Sequence, residues 1–208
     1  MKKLILITLV ILISGCATVP KKDYTRFNQS PPRSILIVPV VNKSVDVDAP
    51  NYFLSTIPIP VAEQGYYVFP VNMVKRILED NGLSDADMVH KAPAQKLADL
   101  FGADAILYIS INRWDARYIL LSTTITVDLT YVLKDGKTGD TLWIDSRQIQ
   151  YSPSGSSSGN PLADLIVDMA IAAVEKAAPN YMPLARQANA AAFAYPGPGI
   201  PPGPYSQK

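Results

Sequence analysis

From Leu121 to Leu133 every second residue is aliphatic, aromatic or β-branched, in the order Leu121, Thr123, Ile125, Val127, Leu129, Tyr131 and Leu133, with mostly polar residues between them. Side chains alternate across a strand, so this spacing predicts a long β-strand with one face turned to a core. Asp135-Gly-Lys-Thr-Gly-Asp140 follows, with glycines available for positive φ, and then Thr141-Leu-Trp-Ile144 runs onward to about Tyr151. Two strands joined by such a turn make a hairpin. The apolar run Ala105-Ile-Leu-Tyr-Ile-Ser-Ile111 precedes them, so a three-stranded antiparallel meander is expected. The rest of the chain must cover its apolar face.

Upstream, Ser34-Ile-Leu-Ile-Val-Pro-Val-Val41 is a continuous apolar, β-branched run of strand length, as expected for a strand covered on both faces. Pro39 removes one ladder hydrogen bond and marks an edge or an ending there. Gly65-Tyr-Tyr-Val-Phe69 has strand composition and feeds a short amphipathic helix, with Asn72 as cap, Met73, Val74, Ile77 and Leu78 on one face and Asn81-Gly82 as stop. Pro93, Leu97, Leu100, Phe101 and Gly102 signal a second helix and its terminator. These elements predict an α/β (α+β) domain over residues 34–183, with a single mixed sheet of about five strands and helices packed on it.

Between the first two strands, Asn42 to Pro60 is rich in Asn, Asp, Ser and Pro. Its closing Ile57-Pro-Ile-Pro60 favours extended or polyproline conformation, so a long exposed loop is expected. Tyr52, Phe53, Leu54, Ile57 and Ile59 are unusually apolar for such a loop. They either pack back on the domain or form a partner-binding segment. Toward the end of the chain, Ser154-Gly-Ser-Ser-Ser-Gly159 reads as a flexible loop, and Asn160-Pro161 opens a core-packing helix to about Ala178, its Leu162, Leu165, Ile166, Met169, Ala173 and Val174 at helical spacing. Residues 184–208 are Ala-rich and then Pro- and Gly-rich, a composition expected to lie extended and mobile outside the core.

The amino terminus carries a different signal. Lys2 and Lys3 precede an apolar run from Leu4 to Ile13 broken only by Thr8, followed by Ser14, Gly15 and Cys16. A run of about ten residues has the length of a signal-peptide core and falls short of a spanning helix. Ile13, Ser14 and Gly15 make a lipobox, with Ile13 in place of the more usual Leu, and Cys16 is the nucleophile that takes up diacylglycerol. Residues 1–15 are then removed, Cys16 gains an N-acyl chain, and residues 16–33 form a polar lipidated tether from membrane to domain. Cys16 is the only cysteine in the chain, so core burial must hold the domain together without an intrachain disulfide.

Of 19 basic and 18 acidic residues, the leader holds two basic and no acidic ones, which leaves the mature chain near −1. No basic stripe points to nucleic acid. His90 is the only histidine and Cys16 the only cysteine, so a His or Cys metal cluster, a Ser-His-Asp triad and a Cys-His pair are unavailable or incomplete, and His90 reads as a surface or structural residue in a turn. Asp85 and Asp87 are close in sequence, but Asp85 serves as a turn cap and nothing pairs them as acid and base. Gly136-Lys-Thr-Gly139 lacks the upstream glycine of a phosphate loop. Trp114, Trp143, Tyr108, Tyr118 and Tyr131 either pack the sheet or make an aromatic surface. No catalytic residue, no metal site and no dissociable cofactor is expected.

Ile35-Leu-Ile-Val-Pro-Val40 with Asn42 following, Gly102-Ala-Asp-Ala-Ile-Leu-Tyr-Ile-Ser-Ile111, the long strand, the Asp-Gly-Lys-Thr-Gly turn and Leu142-Trp143 together resemble envelope lipoproteins with a TolB-amino-terminal-like domain. The family so resembled is the one catalogued as domain of unknown function 799, over roughly residues 10 to 190; similar domains occur in the curli secretion lipoprotein and in a lipoprotein activator of peptidoglycan synthases. The resemblance implies a non-enzymatic, lipid-anchored assembly, secretion or interaction component of the cell envelope, with an activator of a peptidoglycan synthase or a cell-wall-acting enzyme as the alternative. It further implies an envelope protein or a second copy as partner. Ala17 after the lipidated position, where Asp would signal inner-membrane retention, implies the outer membrane, inner leaflet or beyond, and the domain is expected to face the periplasm.

Overall fold

The computed structural model describes residues 22–119, 122–151, 181–197 and 199–206. The expected leader, lipobox and Cys16, the Ser154–Gly159 loop and the helix expected from Asn160 lie outside the described residues. The meander is present as β4 (Ala105–Ile119), β5 (Ser122–Asp135) and β6 (Thr141–Tyr151). β5 pairs antiparallel with both neighbours, with Ile109 opposite Tyr131 and Tyr131 opposite Asp145. As the alternation requires, Ile125, Val127, Leu129, Tyr131 and Leu133 of β5 are all buried.

Pro39 divides the first apolar run into β1 (Ser34–Ile37) and β2 (Val41–Asn42), both parallel to β4, with Ile35 beside Ala105 and Val41 beside Ser110. Proline has no N–H to give a ladder, so the run serves as two short strands instead of one. With β3 (Tyr67–Val68) parallel to β1, a single mixed sheet of six strands results, in the order β3-β1-β4-β5-β6 with β2 also beside β4. The expected mixed sheet is correct, and the sixth strand comes from that proline.

Helices cover both faces. On one lie α1 (Thr25–Gln29), α2 (Ala49–Leu54), α3 (Pro58–Glu63) and, from the end of the chain, α7 (Met182–Phe193), around a core that includes Phe27, Phe53, Val61, Trp114, Tyr131 and Phe193. On the other lie α4 (Val71–Asp80), α5 (Ala86–Lys91) and α6 (Ala94–Phe101), whose Val74, Leu78, Val89 and Leu97 meet Leu36, Ile106 and Tyr108. Gly102 ends α6 in the left-handed region at φ 67°, as expected of a glycine after the last helical turn. α4 starts one residue before Asn72 with Pro70 at the cap position, and Met73 points outward, 58% exposed, instead of joining the apolar face.

Three expectations are corrected. The segment from Asn42 to Pro60 is not an extended loop, since it holds α2 and the start of α3. Pro58 and Pro60 are the first and third residues of α3, where backbone N–H groups have no intrahelical acceptor and proline costs nothing. The carboxy-terminal segment does not lie clear of the core. Leu184, Ala185, Ala188, Ala192 and Phe193 of α7 are buried, as is Ile200 in the Pro/Gly stretch. Small alanines let α7 approach the sheet closely, and the apolar side chains between them supply the burial that composition alone hides. The tether, finally, is docked from Lys22 onward, with Phe27 of α1 only 2% exposed. The folded unit therefore extends beyond residues 34–183 at both ends.

Candidate functional site

The segment that follows the expected lipid attachment point lies along the β5–β6 hairpin and is fastened to it four times. The Lys22 ammonium meets Asp145 Oδ1 at 2.7 Å and sits 4.7 Å from the ring centre of Trp143. Arg26 faces Asp140 at 3.7 Å, Phe27 enters the core, and the Ser30 hydroxyl donates to Asp135 Oδ2 at 2.6 Å. These bonds differ in worth. Arg26–Asp140 is open to solvent and contributes little, whereas Asp145 has a side chain only 10% exposed and also accepts from Arg147 Nε at 2.6 Å. One shielded carboxylate thus holds two cations, and the Trp143 ring face gives Lys22 a second attractive surface.

Asp135 anchors both the turn and the tether. Its Oδ1 accepts from the backbone N–H groups of Lys137 and Thr138, each at 2.8 Å, and closes the hairpin turn. Burial pushes its carboxyl up, but the Ser30 hydroxyl and the N–H groups of Thr138 and Lys137 outweigh that, and the net shift is downward. Gly136-Lys-Thr-Gly139 is therefore occupied in joining β5 to β6, as its position in the sequence implies.

The end of the chain closes over the same face. Tyr24 donates its hydroxyl to the carbonyl oxygen of Gly199, and Tyr66 donates to that of Pro201. The N–H groups of Gly203 and Tyr205 donate to the carbonyls of Gln64 and Gly65 at 2.7 and 3.0 Å. Glycine is required where these backbones meet: a Cβ on Gly65 would lie 2.1 Å from Ser206 N, and one on Gly203 would lie 2.3 Å from Gly65 O. The Pro/Gly stretch is a fitted strap joining the tether to α3. Burial raises the Tyr24 and Tyr66 hydroxyls above the ordinary tyrosine value, which keeps both as proton donors.

The five apolar residues of this segment, read as packing back on the domain or as a partner-binding segment, are not brought to one surface. Phe53 and Ile57 are fully buried, which is the packing-back alternative and removes these two from the candidate partner surface. Tyr52 and Ile59 are 48% and 59% exposed. Ile59 lines a shallow apolar groove of about 460 Å³ with Pro58, Ala62, Val68, Phe69 and Val71. Leu54, half-buried, lines a separate one of about 260 Å³ with Val40, Val47, Lys75, Glu79 and Leu83. Helical periodicity over residues 49–63 was the missed signal, since Phe53, Ile57 and Val61 recur at a four-residue spacing.

The polar residues weighed for chemistry serve the fold. Asp85 caps α5 by accepting from Met88 N at 3.1 Å, and Asp87 lies in that helix's first turn. His90 Nε2 is 3.0 Å from the Pro39 carbonyl, and its ring stands edge-on to Tyr108 at 5.1 Å. Burial lowers the His90 pKa, and it pushes the Tyr108 hydroxyl up to about 12. Trp114 and Tyr131 are fully buried and pack the sheet, while the Tyr118 side chain lies outside the described residues. Among the described residues, no group of three or more His, Cys, Asp or Glu side chains could hold a metal ion. The face of the sheet beyond α4–α6 carries a short polar ladder in which Asn112 Nδ2 donates to Asp128 Oδ1 at 3.2 Å and Thr130 Oγ1 at 2.9 Å.

Residues 22–198, from the docked tether to the strap, match the family described as "Putative lipoprotein GNA1162-like". The chain belongs to this family. It is 38% identical over 162 residues, 76% of this chain and 75% of the relative, to "Putative lipoprotein NMB1124/NMB1162" of Neisseria meningitidis serogroup B. The crystal structure of lipoprotein GNA1162 from Neisseria meningitidis is similar with a TM-score of 0.58 and 35% identity, over 69% of this chain and 96% of that one. A likeness to the dodecamer of a PelC variant from Paraburkholderia phytofirmans, with 14% identity and a TM-score of 0.49 over 83% of this chain and 90% of that one, is too remote to bear on function. The GNA1162-like match begins at Lys22, the first residue of the clamp. Nothing in the residue pattern marks Lys22, Trp143 and Asp145 as neighbours, because a charge in a polar tether reads the same whether it is solvated or paired.

Proposed function

We propose that this protein is a lipid-anchored, non-enzymatic component of the cell envelope, held by acyl chains on Cys16 and acting through contact with another envelope protein or a second copy of itself. The observation that carries this reading is membership of a lipoprotein family in a chain with a single cysteine, placed directly after Ile13-Ser-Gly15. Acylation at the thiol and removal of residues 1–15 supply the anchor, and two or three acyl chains at about 0.8 kcal/mol per buried methylene hold it in the bilayer. Ala17 supports the outer membrane, and we place the domain on its periplasmic side. Tyr52, Leu54 and Ile59 remain as the accessible part of the apolar segment, and they support contact with a partner.

Replacement of the thiol tests the anchor. Cys16→Ser should lose metabolic acyl label and accumulate with residues 1–15 attached, because a hydroxyl is a far weaker nucleophile than a thiolate. Outer-membrane fractionation and acyl labelling equal to wild type would overturn the reading. Crosslinking in intact envelopes then distinguishes the partners: capture of a peptidoglycan synthase would favour the activator role, and capture of a second copy would favour self-association.

A further inference from the structure

Five residues, Ala17 to Lys21, separate Cys16 from Lys22. A polypeptide spans at most about 3.3–3.6 Å per residue, so over six residue steps Lys22 can stand no more than ~22 Å from an acylated Cys16. From Lys22 onward the chain belongs to the folded body, through Asp145, Trp143, Phe27 and Asp135. A short leash fastened to one point of a rigid body decides which part of that body is nearest the bilayer.

The part so placed is the corner around the clamp, and its chemistry fits a headgroup layer. Tyr24 and Tyr195 meet edge-on at 6.3 Å, and Tyr195 is 45% exposed. The Arg26 side chain is 65% exposed, and its pairing with the similarly open Asp140 at 3.7 Å is loose enough to exchange for a lipid phosphate. Tyrosine rings settle at the membrane–water interface, with the apolar ring toward the acyl chains and the hydroxyl toward water, and basic side chains are drawn to lipid phosphates. α5 lies diagonally opposite. It packs on the other face of the sheet and contacts β2, while the clamp is on β6 at the sheet's edge. Helix and sheet layers of ~10 Å and strand spacings of ~4.8 Å put the two regions more than about 20 Å apart.

We infer that the corner bearing Tyr24, Arg26 and Tyr195 rests on the lipid headgroups, and that α5 is presented away from the membrane. The inference depends on the reading of Cys16 as the acylated residue.

Because acylation consumes the only native thiol, one introduced cysteine carries any label attached. The mature lipidated protein, reconstituted in phosphatidylethanolamine–phosphatidylglycerol vesicles with a headgroup-linked energy acceptor, is labelled with a donor at Tyr195→Cys or, separately, at Met88→Cys on α5. Arg26→Cys supplies a second corner position should the first variant fold poorly. The expected result is loss of most donor emission at the corner and little loss at Met88. Equal loss at both positions, or greater loss at Met88, overturns the inference. The mass of the amino-terminal peptide from the same sample separates the two readings: acyl chains present without the contrast overturn only the orientation, and acyl chains absent overturn the anchor together with it.

Discussion

The Tyr131 hydroxyl, buried in the middle of β5, donates to Asn189 Oδ1 of α7 at 2.6 Å, and the Asn189 amide in turn donates to Thr56 Oγ1 at 2.9 Å. The Thr56 hydroxyl in turn donates a hydrogen bond to the Phe53 carbonyl at 2.7 Å. This relay ties the sheet, α7 and the α2–α3 turn together inside the core, where an unpaired polar atom is costly.

Tyr131→Phe should leave Asn189 Oδ1 buried without its donor and cost about 1–3 kcal/mol of unfolding free energy. Adding Asn189→Leu removes the stranded carbonyl, so the double variant should lose less than the sum of the single losses. Urea unfolding of the non-acylated mature chain, analysed as a double-mutant cycle, measures both. Strict additivity would mean that the relay is not a coupled unit.

Two glycines separate backbone strain from contact with the strap. Gly82 has φ +79° with nothing within 4 Å of where a Cβ would stand, whereas Gly65 has φ +87° and Ser206 N at 2.1 Å from that point. Gly82→Ala should cost only the left-handed penalty of about 1–2 kcal/mol. Gly65→Ala should cost more and also release the end of the chain. Carboxypeptidase trimming of the last residues should be faster in Gly65→Ala alone.

Phe53→Ser should destabilise by about 3–5 kcal/mol and Ile57→Ser by about 2–5, because both side chains are fully buried. Tyr52→Ser and Ile59→Ser should stay within about 0.5 kcal/mol of wild type. Thermal unfolding of the four variants shows the split. A loss at Tyr52 or Ile59 as large as at Phe53 would place all of them in one core surface.

Burial holds the His90 imidazole below its ordinary pKa of 6.5, against the opposing pull of the Pro39 carbonyl. The unfolded chain therefore takes up the proton first. The stability contributed by the neutral ring is complete above pH 6.5 and is lost as the pH falls through 6.5 toward the folded-state value. Urea midpoints should drop between about pH 7.5 and about pH 5.5, and His90→Gln, which keeps a donor for Pro39, should flatten that drop. An unchanged slope in the variant would assign the pH dependence to other groups.

The alternation in β5 reveals the meander because each side chain's environment follows from its position on the strand. Gly102 marks a helix end for an equally local reason. The strap was illegible because Gly199 and Gly203 have the composition of a linker; only the backbone opposite each of them shows that a side chain could not fit. Pro58 and Pro60 misled for a related reason, since a proline that forbids a helix interior is harmless in its first turn. The clamp at Lys22 pairs residues 123 positions apart, a relationship that no window of sequence contains.

The bond from Tyr24 to Gly199 spans 175 positions, nearly the whole folded length. Contacts of such separation form only after the intervening chain has been gathered. A chain delivered amino terminus first therefore has Tyr24 waiting for a partner that emerges 175 positions later. Until residues 199–206 arrive, the groove they fill stays open and Tyr66 lacks its acceptor. A copy lacking residues 199–206 would leave Tyr24 and Tyr66 without their carbonyl acceptors and would be open to proteases along the seam that the strap covers.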